Sequence, residues 1–245
     1  MILNRQFFAQ PPAPNPAPAP VPMGEVHVWR ASLDRSRADL APLLSEAERE
    51  RAAAYRFDRD RERFVAARGR LRQLLGGYLG VDPSAVAFSA GRFGKPELDR
   101  DQAARLQFNV SHSAGSALFA FCCAGPVGVD VERISPRVDL AQLAPAFLTD
   151  PEFEQVRRLA NGKANSALLR HWTAKEAFLK AVGVGLNIAP SELEVAFGNA
   201  ESPGAFRYPK HRALADLFAE YPLYECEGEC ATLVAIKGLR VVWCE

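Results

Sequence analysis

Three short clusters carry the residue types used in phosphate and metal chemistry. In Val127-Gly128-Val129-Asp130-Val131-Glu132, strand alternation puts the three valines on one face and Gly128, Asp130 and Glu132 on the other. The two carboxylates then stand about 6.6 Å apart along the strand, within reach of one hard cation. Polar residues on the wet face of a half-exposed strand would look the same, so this cluster alone decides nothing. In SALLRHWTAKEAFLKAVG, Leu168, Leu169, Trp172 and Leu179 outline an apolar stripe. Glu176 follows Trp172 by four residues and Lys180 follows Glu176 by four, so all three project from one helix face. A carboxylate beside a buried stripe is costly unless it is paired or bound to metal, and the competing reading is an exposed Glu–Lys pair. The third cluster, Phe108-Asn109-Val110-Ser111-His112-Ser113, follows Gly94-Lys95-Pro96. It sets hydroxyls and an imidazole at a strand end, where with Lys95 they can hold an anion. Strand alternation, which points neighbours to opposite faces, and the lack of a nucleophile-elbow signature argue against a Ser111–His112 hydrolytic dyad.

The elements that must position these clusters are readable in outline. A run of prolines, PPAPNPAPAPVP, occupies residues 11–22 and forms an extended tail ahead of the fold. EVHVW alternates as a strand does. Ser45 and Glu48 form a capping box opening a charged helical segment that runs to about Leu79, rich in arginine and amphipathic in its second part. Most of these arginines belong to a solvated, salt-bridged face, and a subset facing a cleft could grip phosphate. The runs VAFSAGRFGKP, LQFNVSHSAGSALFAFCCAG and VGVDVERI predict strands joined by turns. Leu140 to Asn161 predicts helix interrupted at Pro145 and Pro151, and Ser166 to Val182 predicts a second helix. LEVAF, AFRYP and ATLVAIKGLRVVWC predict further strands. The class is α+β, with helices on mainly antiparallel sheet.

Composition excludes several functions. The 245 residues carry 30 basic and 29 acidic side chains, a balance that argues against a surface built for nucleic acid or anionic membrane. No apolar run is long enough to span a membrane, and the N-terminus lacks the pattern of a secretion signal, so a cytoplasmic location is expected. Five cysteines and four histidines show no zinc-ligand spacing, and the cysteines read as structural.

Taken in order, GKP, FNVSHS, VGVDVE, the acidic Phe-Leu-Thr-Asp-Pro-Glu segment and WTAKEAFLK resemble the 4′-phosphopantetheinyl transferase superfamily, specifically its two-subdomain Sfp-type members. The matching pattern is (I/V)G(I/V)D(I/V)E followed about forty residues later by (F/W)(S/T/C)xKE(A/S)xxK. The arginine-rich segment from Leu44 to Leu75 is similar to the family's first helices, and the likeness runs from about Trp29 to Leu186. The resemblance implies transfer of the 4′-phosphopantetheine arm of coenzyme A to a serine of an acyl or peptidyl carrier protein, releasing 3′,5′-adenosine bisphosphate. It implies Asp130, Glu132 and Glu176 as ligands of Mg²⁺ or Mn²⁺, with Lys180 near the pyrophosphate and His112 on the 3′-phosphate of coenzyme A. Catalysis would rest on Glu176, Lys180 and Asp130, the serine proton passing to Glu176 or to a water on the metal, with Glu176 favoured. Lys95 and Ser111 would lie in the coenzyme-contacting loop, Glu152 matches a further glutamate of the acidic segment, and Arg51 fits a basic coenzyme-contacting position. Glu48 departs from the family, standing where a relative has lysine, so Arg63 or Arg68 would supply that charge.

The fold implied is two similar α+β subdomains related by a pseudo-twofold, with coenzyme A and metal at their interface. The expected boundaries are a tail over 1–22, an N-terminal subdomain over 23–125 and a C-terminal subdomain over 126–245, acting as a monomer without nucleic acid or membrane. Two alternatives are a Mg²⁺-dependent phosphohydrolase that cleaves coenzyme A or a nucleotide with water, and a non-catalytic carrier-protein scaffold.

Overall fold

The computed structural model describes residues 20–34, 38–90, 96–99, 106–133, 139–159, 161–183, 188–199, 202–226 and 228–244. Lys95 and residues 1–19, with most of the proline-rich tail, lie outside the described residues. The first half of the chain runs through β1 (Glu25–Ser32), α1 (Glu46–Ala53), α2 (Asp58–Leu79), the hairpin β2 (Phe88–Ala90) and β3 (Pro96–Leu98), β4 (Gln107–Ser113) and β5 (Ser116–Cys122). The second half runs through β6 (Val127–Arg133), α3 (Leu140–Phe147), α4 (Asp150–Arg157), α5 (Asn161–Val182), β7 (Glu194–Ala196) and β8 (Gly204–Arg207). It ends with α6 (Arg212–Ala215), β9 (Phe218–Cys226), β10 (Glu229–Ile236) and β11 (Arg240–Cys244).

Both halves use one topology. In the first, β1 pairs antiparallel with β5 and β5 with β4; in the second, β6 pairs antiparallel with β10 and β10 with β9. The second sheet extends through β8 and β7. The run ATLVAIKGLRVVWC breaks at Gly238 (φ +86°), a left-handed position suited to glycine. β10 stays in the second sheet, whereas β11 crosses to pair parallel with β1, the exception to an otherwise antiparallel pattern.

The layers follow from strand alternation. Trp29, Ala117, Phe119 and Phe121 face Leu71, Leu74 and Leu75 of α2. The opposite faces, with Val26, Val28, Leu118 and Ala120, pack on Val127, Val129, Val131 and Leu233 of the second sheet. The outer face of that sheet receives Ala174, Ala177 and Phe178 of α5 against Val234 and Phe218. The order is helix, sheet, sheet, helix. Among the described residues no helix is long and apolar enough to cross a membrane.

Local differences from the sequence reading have clear causes. The charged segment 46–79 is two helices, not one. Ser45 caps α1 in the expected box, and the break lets Tyr55 stack on Phe64, with ring centroids 5.5 Å apart, while α1 folds back along α2. Pro151 does not interrupt a helix but sits in the first turn of α4, where its missing N–H costs nothing. α5 begins at Asn161, earlier than the pattern suggests. β9 was hidden because it contains Pro222, which a register shift opposite Ala231 and Thr232 accommodates.

Candidate active site

The site is built where α5 touches β6. A methyl group at Gly128 would overlap the carbonyl of Ala177 and the backbone nitrogen of Ala181, so glycine is what allows the helix to lie directly on the strand. This close approach brings Glu176 and Lys180 over Asp130 and Glu132. The valines of β6 point into the inter-sheet core and the carboxylates toward α5, as alternation predicts.

Lys180 Nζ donates to Asp130 Oδ1 at 2.6 Å and to Ser111 Oγ at 3.0 Å. Ser111 Oγ donates to the same Oδ1 at 2.8 Å. Asp130 is only 2% exposed, and its other oxygen, Oδ2, is buried with no partner among the described residues. Leaving a carboxylate oxygen buried and unsatisfied is expensive. Glu132 Oε2 accepts from Ser113 Oγ at 2.9 Å. Burial, followed by the negative charge of Asp130, pushes the Glu132 carboxyl above its ordinary range, with Ser113 and Lys180 opposing. Burial and Asp130 push Glu176 up in the same way, Glu132 adding to the effect and Lys180 opposing it. The three acids thus repel one another around an orphaned oxygen. A hard divalent cation could use Asp130 Oδ2, Glu132 and Glu176 and complete its shell from water and phosphate. Among the described residues no group of three or more His, Cys, Asp and Glu side chains is arranged to hold a metal ion as it stands, so these three carboxylates would have to close on one.

Ser111 is buried and its hydroxyl is engaged within the protein, whereas His112 is exposed on the opposite side of β4. Its imidazole pKa is lowered by partial enclosure and by the Lys180 charge, with Asp130 pulling the other way. The basic candidates on α1 and α2 form a separate group. Arg51 and Arg68 lie over the Phe64 ring, at 5.5 and 5.9 Å from its centroid. Arg68 Nε lies 3.5 Å from Glu48, and Arg63 pairs with Asp34 at 2.6 Å. Glu48 therefore faces its own arginines and neutralises them.

Glu152 lies outside the cluster. It is the N3 residue of a second capping box, with Thr149, and Lys175 Nζ donates to it at 2.5 Å. Lys175 is fully buried and also donates to the carbonyls of Phe147 (2.6 Å) and Pro190 (3.1 Å). Burial alone would raise the Glu152 carboxyl, but His171, Lys175 and the Thr149 N–H together hold it at about 2. His171 Nδ1 approaches to 3.3 Å without completing a hydrogen bond. Sequence reasoning missed Lys175, Arg72, Asn109 and Ser113. A lysine beside Glu176 looks like a solvated residue, and the roles of Asn109 and Ser113 depend on a strand neighbour distant in sequence.

Residues 126–233 match the 4′-phosphopantetheinyl transferase superfamily, and residues 27–123 match the 4′-phosphopantetheinyl transferase N-terminal unit. The chain belongs to the 4′-phosphopantetheinyl transferase superfamily. It is similar to the 4′-phosphopantetheinyl transferase HetI of Nostoc sp., with 38% identity over 218 residues spanning 87% of this chain and 88% of that one. The 4′-phosphopantetheinyl transferase psf-1 of Bacillus pumilus is 26% identical over 84% of this chain and 87% of its own. A phosphopantetheinyl transferase of Thraustochytrium sp. is 31% identical over 62% of this chain and 57% of its own. As a member of this superfamily the chain is an enzyme that moves the phosphopantetheine group of coenzyme A onto a carrier protein.

Proposed function

We propose that the face shared by β6 and α5 is the transfer centre, working on coenzyme A and the serine hydroxyl of an acyl or peptidyl carrier protein. The observation that carries this is the buried, unpartnered Asp130 Oδ2 beside the Lys180 ammonium, with the Glu132 and Glu176 carboxyls both raised by burial and then by the Asp130 charge. Asp130, Glu132 and Glu176 would hold Mg²⁺ or Mn²⁺, and the ion would supply charge neutralisation for the pyrophosphate oxygens. Lys180 donates hydrogen bonds to the phosphoryl group while Ser111 and Asp130 fix its position. Glu176 accepts the serine proton. The serine oxygen then bonds to phosphorus as the bond to 3′,5′-adenosine bisphosphate breaks. That leaving group departs as a phosphate and needs no proton from the protein.

His112 is proposed to meet the 3′-phosphate, with Lys95 and one or more of Arg51, Arg63 and Arg68 along the same ligand. Coenzyme A would then lie across the junction of residues 23–125 and 126–245, with β11 strapping the second part to the first. Intact-protein mass spectrometry of apo carrier proteins incubated with enzyme, coenzyme A and Mg²⁺ tests the proposal. The expected result is a gain of one phosphopantetheine that EDTA abolishes. Coenzyme A cleavage with carriers left apo would favour the phosphohydrolase, and intact coenzyme A with untouched carriers would favour the scaffold.

A further inference from the structure

β4 closes one edge of the first sheet and β6 one edge of the second, and the two strands run side by side without backbone pairing. The N–H groups of Val129, Val131 and Arg133 point out of the second sheet toward β4; those of Val129 and Val131 would be unsatisfied at a buried edge, and that of Arg133 lies at its exposed end. Side chains close the seam instead. Asn109 Oδ1 accepts from Val129 N at 2.9 Å, Ser111 Oγ from Val131 N at 3.3 Å and Ser113 Oγ from Arg133 N at 3.1 Å. Residues 109, 111 and 113 share one face of β4, so alternation supplies all three rungs.

The two serine rungs do more than fill the edge. A hydroxyl has one proton to give after accepting an N–H. Ser111 gives its proton to Asp130 Oδ1 at 2.8 Å and Ser113 gives its proton to Glu132 Oε2 at 2.9 Å. Asn109 serves the rung beside Gly128, which has no carboxylate to orient. Each hydroxyl therefore ties a backbone amide of the second half and a carboxylate of the site to the same strand of the first half.

We infer that Ser113 is a positioning residue for the reaction: it aims Glu132 at the cation and, through the Arg133 amide, links cation binding to the docking of the two halves. The inference rests on the proposed metal role of Asp130, Glu132 and Glu176. Ser113 is a cleaner probe than Ser111, whose loss would also disturb Lys180. Coupling of this kind is reciprocal, so a cation that orders Glu132 also protects the seam.

The test titrates Mn²⁺ into the full chain, without coenzyme A or carrier, following free Mn²⁺ by electron paramagnetic resonance. Ser113→Thr and Ser113→Val are compared because they match in shape and differ in the hydroxyl, and Ser113→Ala adds a variant without branching strain. Removing an outer partner of a metal ligand weakens metal binding by about 10–100-fold, so the valine and alanine variants should lose about tenfold and threonine should retain wild-type affinity. Amide exchange at Arg133 should slow on adding Mn²⁺ to wild type and to the threonine variant, and not to the valine variant. Wild-type affinity in both the valine and alanine variants, or equal losses in threonine and valine, would overturn the role of Ser113 while leaving the metal site standing. A wild-type chain that binds no Mn²⁺ would overturn the metal reading and this inference with it.

Discussion

The two halves of the molecule share a scaffold and differ in chemistry. In each, a capping box opens a short helix, Ser45 with Glu48 in α1 and Thr149 with Glu152 in α4. In each, the N3 glutamate takes a buried cation from a 22-residue helix, Arg72 of α2 at 2.6 Å and Lys175 of α5 at 2.5 Å. Each cation also reaches the carbonyl of a proline that opens a 3₁₀ turn, Pro83 and Pro190, both at 3.1 Å. Arginine's wider fork reaches Ser84 and Val86 as well. Counted from the clamped cation, Glu176 and Lys180 fall opposite Gln73 and Gly77. Ala181, which lets α5 press on Gly128, falls opposite Tyr78, whose hydroxyl lies 2.9 Å from His27 Nδ1 and accepts from Trp29 Nε1 at 2.7 Å. One scaffold thus supports an aromatic, polar-capped core on one side and an acidic face, the proposed transfer centre, on the other. The clamp and the chemistry are separable parts.

The sharpest way to test that separation is to break both clamps. Lys175→Met should cost about 3–5 kcal/mol, because it leaves buried Glu152 without its lysine. Arg72→Met should cost less in urea denaturation, because half-buried Glu48 keeps Arg68 at 3.5 Å. At a temperature where both variants are folded, Lys175→Met should lower kcat through its neighbour Glu176, whereas Arg72→Met should leave kcat within about twofold.

The second-half clamp also carries a pH signature. Glu152 is held at about 2 against an ordinary 4.5, a depressed carboxylate whose stabilisation is complete above pH 4.5 and lost as pH falls through about 2. The difference corresponds to about 3 kcal/mol. Urea midpoints measured across that window should fall steeply for wild type and less steeply for Glu152→Gln.

Two glycines give a matched steric comparison. A methyl group at Gly69 would overlap Leu40, and one at Gly128 would overlap the α5 backbone. Each Gly→Ala change should cost about 1–3 kcal/mol by overpacking, read from thermal melts. Only Gly128→Ala should also slow transfer, because it lifts Glu176 and Lys180 away from Asp130.

The smallest effect concerns the acidic face. Glu132 and Glu176 have raised carboxyl groups, so their contribution to stability is complete below 4.5 and is lost as pH rises through their raised values. Mg²⁺ bound by the three carboxylates, as proposed, would relieve that repulsion. Added Mg²⁺ should therefore raise the melting temperature more at pH 7 than at pH 5.

Local features were legible in the sequence because their causes are local. The Ser45–Glu48 box needs only a spacing of three, the VGVDVE faces only alternation, and the Glu176–Lys180 face only a helical repeat. The two similar subdomains followed from the family resemblance and not from the residue pattern, because β9 hides behind Pro222 and β11 leaves its neighbour's sheet. Lys175 sits next to Glu176 yet points into the core, and nothing in the local pattern separates it from a solvated lysine. The Asn109, Ser111 and Ser113 rungs require β4 to lie beside β6, a pairing across the junction of the two halves.

The central claim is that transfer chemistry resides on one of two equivalent helix positions. The most direct test measures single-turnover formation of holo-carrier protein by intact mass for Glu176→Gln and Gln73→Ala side by side, with melting temperatures as a control on folding. Loss of a general base predicts a fall of about 10²–10⁴-fold for Glu176→Gln at unchanged stability, with Gln73→Ala close to wild type. Full transfer by Glu176→Gln, or an equal loss in Gln73→Ala, would contradict the account.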